Sequence, residues 1–186
     1  MQIITLHKLI LSLTFTVHAA IAADTAPTVD TFYSKESSFQ ISYPTTWRLL
    51  KRPGSAFFID RIYGAGEAAS FSVSVIRDSG DSKELQDMMK TKNEKFAAML
   101  AAAAKERFPN YKILDHKPTV LGNFPAYILQ ADYSLTNPTS TYKLRGIVVF
   151  ALHRDHIYRI NFESSESSFE NAKKDMDIIL STFNYK

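Results

Sequence analysis

The sequence predicts an α+β protein, an α/β/α sandwich built on a central, mostly antiparallel sheet. Three observations carry that prediction. In "SFSVSVIR", Phe71, Val73 and Val75 fall on one side of a strand while Ser70, Ser72 and Ser74 fall on the other. Two segments, "FAAMLAAAAKERF" and "SSFENAKKDMDIILSTF", repeat apolar residues at helical spacing instead. Finally, residues 147–152 are apolar without interruption, so a strand there must be covered on both faces.

The chain opens with a short basic stretch that ends at Lys8, then an apolar run over residues 9–17. Ala20 and Ala22 follow in the A-x-A spacing of a cleavage site. That layout predicts a secretory signal peptide over residues 1–22, cleaved after Ala22 or Ala23. The run is far shorter than the ~20 residues that span a bilayer. The expected location is therefore outside the cytoplasm, periplasmic or secreted, without stable membrane insertion. There is no cysteine, so neither a disulfide nor a lipidated cysteine is available, and the core alone must hold the fold. The chain has 22 basic and 19 acidic side chains, too even a balance for a nucleic-acid surface. Residues 23–38 are polar and aperiodic, which predicts a flexible leader ahead of one domain over residues 39–186.

Phe39, Ile41 and Tyr43 alternate with Gln40 and Ser42 as a first strand, which Pro44 ends. Trp47, the only tryptophan, is expected beyond a turn with its ring buried over that strand. Pro53 and Gly54 mark the next turn, and residues 56–62 a second strand. After "YGAGEA" comes the serine-lined strand. A helix follows, with Asp81 and Glu84 as a capping box. Its stripe is Leu85, Met88, Met89, Phe96, Met99, Leu100 and Ala103, and Pro109 and Asn110 end it.

Two strands then flank Gly122–Asn123, a dipeptide suited to a tight hairpin. Pro118 and Pro125 bracket that turn and predict an irregular or edge strand. A loop at Arg154–Asp155 sets a second hairpin. It places Leu152 opposite Ile157, Ala151 opposite Tyr158, Val149 opposite Ile160 and Ile147 opposite Phe162. The last helix has a capping box at Ser167 and Glu170. Its apolar face is Phe169, Ala172, Met176, Ile179, Leu180 and Phe183.

Several of these segments resemble the PsbP-like family in order and spacing. They are "FQISYPTTW", "FFID", "FSVSV", "PAYILQADY", "RGIVVFALHRDHIYRINF" and the terminal "ILSTF". The family includes the extrinsic photosystem II protein PsbP, bacterial envelope proteins of the DcrB type and a eukaryotic Ran-binding relative. The resemblance implies an α/β/α sandwich on an antiparallel sheet. It also implies a non-enzymatic protein that binds, or assists assembly of, an envelope protein partner. The matched positions are packing residues, so it assigns no functional residue and no cofactor.

For chemistry, the most suggestive cluster is "HRDH". His153, Asp155 and His156 at a hairpin tip are candidate ligands for a divalent metal, against the plainer reading of a solvated turn. This supports the alternative of a periplasmic small-molecule or metal-binding protein. His116 reads as structural or exposed. Asp60 reads as a turn cap or a partner for Arg61, with acid–base work as the sharper possibility. The methionine stripe reads as core. There is no G-x-S-x-G elbow, no cysteine nucleophile, no H-E-x-x-H and no P-loop lysine near "YGAGEA", so no catalytic residue is assigned.

Overall fold

The computed structural model describes residues 27–64, 67–77 and 82–186. The expected signal peptide and the Asp81 cap lie outside them. In chain order the elements begin with β1 (Val29–Ser34), β2 (Phe39–Pro44), β3 (Arg48–Leu49), β4 (Phe57–Gly64) and β5 (Glu67–Arg77). Next come α1 (Ser82–Met89), α2 (Glu94–Lys105), β6 (Lys112–Leu121), β7 (Phe124–Asn137), β8 (Ser140–His153) and β9 (His156–Ser165). A 3-10 turn over Glu166–Ser168 leads into α3 (Phe169–Ser181), and β10 (Asn184–Tyr185) closes the chain. The strands form a small sheet, β1-β2-β10, and a seven-stranded sheet, β3-β4-β5-β9-β8-β7-β6, with every pairing antiparallel.

The corner after Pro44 carries the chain from one sheet to the other. β2 lies in the small sheet and β3 in the large one. The Trp47 amide donates to the Pro44 carbonyl at 2.9 Å and closes the turn. The indole is buried between the layers, and its N–H donates to Asp175 on α3 at 2.9 Å. So Trp47 joins two layers and does not simply cover the strand it follows.

Within the expected leader over residues 23–38, the described part is corrected by β1, which pairs with β2 along its whole length. Phe32 anchors it, with its ring 6.0 Å from Phe39 and 4.9 Å from Phe57. One inward aromatic among polar neighbours is too little to register as alternation. The single helix expected after β5 is two. Asn93 breaks it, because its side chain accepts the Phe96 amide at 3.0 Å and starts a new helix. The restart shifts the phase. Ala97 and Ala101 face the sheet beside Phe96, while Met99 is 52% exposed. The Ser167–Glu170 capping box does not form either. The Ser167 hydroxyl donates to Glu67 at 2.6 Å, and the 3-10 turn occupies the helix start.

The β8–β9 hairpin has the expected register at all four named pairs. Arg154 takes the left-handed turn position at φ 56°. Gly122 turns the β6–β7 hairpin at φ +58°, a left-handed conformation that favours glycine. β6 is the edge strand, and its irregularity is a bulge between Ile113 and Asp115, away from the prolines.

α3 and the small sheet pack on one face of the large sheet. Their shared core holds Phe39, Phe57, Phe71, Val73, Ile147, Val149, Ile160, Phe162, Met176 and Ile179. Each such side chain contributes roughly 1.5–3 kcal/mol on burial. α1 and α2 pack on the other face, placing Met89, Phe96, Ala97 and Ala101 over Tyr127, Leu129, Ala131 and Leu152. The apolar strand is thus covered on both sides: Ile147, Val149 and Ala151 face the first layer, and Phe150 and Leu152 face the second. The predicted α+β sandwich on an antiparallel sheet holds, with one refinement. The two layers are staggered, since α3 lies over β5 and β9 while α1 and α2 lie over β7 and β6. No described helix is long and apolar enough to cross a membrane.

Candidate functional site

The stagger leaves the second face of β4, β5 and the part of β9 beyond Ile157 without a packed helix layer among the described residues, while Ile157 itself packs against the same buried cluster as Leu85 and Met88 of α1. The serines that alternate against the core in β5 point to this face. Cross-strand register arranges it in rows. Asp60, Ser70 and Glu163 form one row, Phe58, Ser72 and Asn161 the next, and Ser74 and Arg159 a third. Ser72 is recessed at the floor, only 9% exposed between larger neighbours.

Glu163 is held from two sides. Ser70 donates to one carboxylate oxygen at 3.0 Å, and Tyr133 to the other at 2.6 Å. Tyr133 stands on β7, two strands away, and reaches Glu163 by lying across β8 at Gly146. A Cβ there would sit 3.1 Å from Tyr133 Cε1 and 3.3 Å from the Phe162 carbonyl oxygen. A larger residue there would crowd the Tyr133 ring and force it to shift. Burial, and then the charge of Glu163, push the Tyr133 hydroxyl well above the usual phenol range. It therefore stays a neutral donor. Phe108 and Tyr111 hold its ring, at centroid distances of 4.7 and 5.7 Å.

Four arginines surround these rows. Arg48 grips Asp60 with two bonds of 2.9 Å. This corrects the expected Asp60–Arg61 pairing, because adjacent strand residues point to opposite faces. Arg159 donates to Asn161 at 3.0 Å, with its guanidinium 6.0 Å from the Phe150 ring centre. Arg52 lies 4.8 Å over Phe58, and Arg107 lies 5.3 Å over Phe108.

Arg61 crosses to the other face and meets Asp175. One oxygen of that carboxylate accepts from Trp47 at 2.9 Å, Arg61 at 2.5 Å and Tyr63 at 3.0 Å. Burial, then the negative charge of Asp175, raise the Tyr63 hydroxyl well above its ordinary range. This is a structural clamp between α3 and β4.

The metal candidates are not gathered into a ligand set. His153 is taken up by ring packing, edge-on to Phe124 at 4.2 Å and stacked on Tyr185 at 4.5 Å. Its Nδ1 is buried without a hydrogen bond among the described residues, as is the Tyr185 hydroxyl. Burial, followed by the nearby charges of Arg154 and His156, lowers the His153 pKa. Asp155 and His156 pair with each other at 2.8 Å. Among the described residues, no three His, Asp or Glu side chains are grouped to hold a metal. His116 is buried and structural. It bonds Tyr127 at 2.5 Å and Glu94 at 2.9 Å, and so fastens the start of α2 to the β6 edge. Of the methionine stripe, Met89 is core.

Two concavities lie elsewhere. One, of about 580 Å³, is lined by Lys83, Glu84, Asp87, Met88 and Asn93. The other, of about 320 Å³, runs between α3 and β6–β8, past Thr119, Ile128, Val149 and Leu180. Neither holds a nucleophile beside a base, and no serine hydroxyl among the described residues bonds to a histidine.

Sequence reasoning found the serine row but missed the Tyr133–Gly146–Glu163 path and Asp175. The first spans three strands and the second gathers donors from 112–128 residues away. Neither leaves a local pattern.

The fold and the site define an α+β sandwich domain with an open sheet face that is polar and flanked by arginines. The chain belongs to the PsbP family, whose model matches residues 28–185. Solved structures agree with the fold. The cyanobacterial PsbP of Synechocystis superposes at TM-score 0.65 with 11% identity, covering 91% of this chain and 99% of that one. The Saccharomyces cerevisiae Ran-binding protein Mog1p gives 0.55 at 9% identity, with coverages of 86% and 96%. Mycobacterium tuberculosis LpqN, described as involved in cell envelope biogenesis, gives 0.55 at 13% identity, with coverages of 84% and 90%. None of the curated proteins matches the chain.

Proposed function

We propose that this protein is exported and acts outside the cytoplasm as a non-enzymatic PsbP-family domain that binds, or helps assemble, an envelope protein. One observation carries the reading: among the described residues, much of one sheet face is left open, and its polar groups are fixed in place. The Tyr133–Glu163–Ser70 array and the Arg48–Asp60 pair hold side chains rigid without presenting a nucleophile and base to a substrate. Ordered hydrogen-bonding groups on a rigid sheet suit recognition. The relatives support the class of partner, since Mog1p is described as Ran-binding and LpqN with envelope biogenesis. Ile62 and Ile76, 62% and 56% exposed at opposite ends of the open face, add apolar contacts such a partner would cover.

The test is photocrosslinking in the producing cell. A crosslinking side chain replaces Ser74 or Asn161 on the open face, or Lys174 on the outer side of α3. The expected result is a discrete protein adduct from both open-face positions and none from Lys174. Adducts that ignore position, or none from the open face, contradict the reading.

A further inference from the structure

We infer that the open sheet face recognises an acidic polypeptide segment, with Arg159 as its central anchor. This rests on the protein-binding reading above and adds the chemistry of the partner. The face carries positive charge left over. Both carboxylates on the face are engaged: Asp60 by the two bonds from Arg48, and Glu163 by Ser70 and Tyr133. Three guanidinium groups there have no carboxylate partner among the described residues. Arg52, Arg107 and Arg159 are exposed residues whose guanidinium groups lie over Phe58, Phe108 and Phe150.

An arginine held over a ring keeps its donors directed outward, so little freedom is lost when a carboxylate docks. Arg159 is the best placed. Its Nε is fixed by Asn161 at 3.0 Å, which leaves the terminal nitrogens for a two-point carboxylate contact. It also borders the recessed Ser72–Asn161 row, where hydroxyl and amide groups match the carbonyls and amides of a polypeptide. A flat lipid surface does not reach a floor set between the α1–α2 layer and the Arg48–Asp60 edge.

The experiment uses the purified, isotope-labelled protein and three probes: a decapeptide of alternating Glu and Ala, its Gln–Ala counterpart, and phosphatidylglycerol vesicles. The Glu peptide is expected to shift the amide resonances of Ser72, Ser74, Arg159 and Asn161 saturably, and the Gln peptide to bind about tenfold more weakly. Arg159→Gln, at an exposed position, should leave the melting temperature unchanged and weaken the Glu peptide about tenfold, with a shallower salt dependence. Equal binding of the Glu and Gln peptides, or shifts away from the open face, overturns the inference. So does vesicle binding that Arg159→Gln abolishes while neither peptide binds, which would assign the face to anionic lipid. If photocrosslinking from Ser74 and Asn161 survives in Arg159→Gln, the protein-binding reading stands and its acidic chemistry falls.

Discussion

The two faces of strands β5 and β9 are built from the same backbone and differ in every other respect. On the first face, Phe71, Val73, Ile160 and Phe162 lie under α3 and the small sheet, almost without solvent contact. On the second, Ser70, Ser72, Ser74, Arg159, Asn161 and Glu163 belong to no apolar cluster among the described residues. Along the same sheet, β7 and β8 show the reverse on their second face, where Tyr127, Leu129 and Leu152 are buried under α1 and α2. The lesson is that coverage follows composition strand by strand. A layer forms only where the alternate residues are apolar, and the half-sheet left over is free to carry polar groups.

This contrast is best broken with paired substitutions. Phe162→Ala on the closed face should cost about 3–5 kcal/mol in urea unfolding, and Ser74→Ala on the open face within about 0.5 kcal/mol. Similar costs at both sites would erase the distinction. Next in size is Asp175→Ala, which strands Trp47, Arg61 and Tyr63 at the joint between α3 and the large sheet. A loss of about 2–3 kcal/mol is expected, and a loss below about 1 kcal/mol would remove the clamp from the account. Gly146→Ala should cost about 1–3 kcal/mol by pushing Tyr133 off β8. Tyr133→Phe combined with it should cost less than the two effects added, because both act on one path.

How much of this was legible depended on distance along the chain. The β8–β9 register followed from the loop and the apolar pattern, and α3 from its period. The serine alternation marked the open face, although nothing in it told that α1 and α2 would stop short. β1 was lost because Phe32 is its only substantial inward residue, and the break before α2 because Asn93 sits in an otherwise helix-compatible run. Asp175 resembles any solvated helix carboxylate until Trp47, Arg61 and Tyr63 are brought to it. His153 shows how sequence and space differ. Its neighbours in sequence make it a candidate metal ligand, while its neighbours in space, Phe124 and Tyr185, are rings.

That histidine belongs to the closed side of the molecule, and its effect is smaller. Its folded-state pKa is depressed by burial, so the unfolded chain binds the extra proton and stability falls as pH drops through the ordinary histidine range. The slope from this group is at most about 1.4 kcal/mol per pH unit. His153→Phe should flatten the fall between about pH 7 and 5 in thermal melts. An unchanged profile would show that the proton is not excluded. The smallest effect is expected from zinc, which should leave the melting temperature within about 1 °C. A rise of several degrees that His156→Gln removes would instead support a metal at the hairpin tip.

The absence of cysteine makes the openness of this half-sheet directly measurable, because one introduced thiol reports on one position. Native-state labelling with a thiol reagent should modify Ser74→Cys and Asn161→Cys at rates near that of an exposed thiol. Ile160→Cys, next door on β9, should react only after unfolding. If the two open-face thiols prove as protected as Ile160→Cys, the half-sheet is covered and the site described above does not exist.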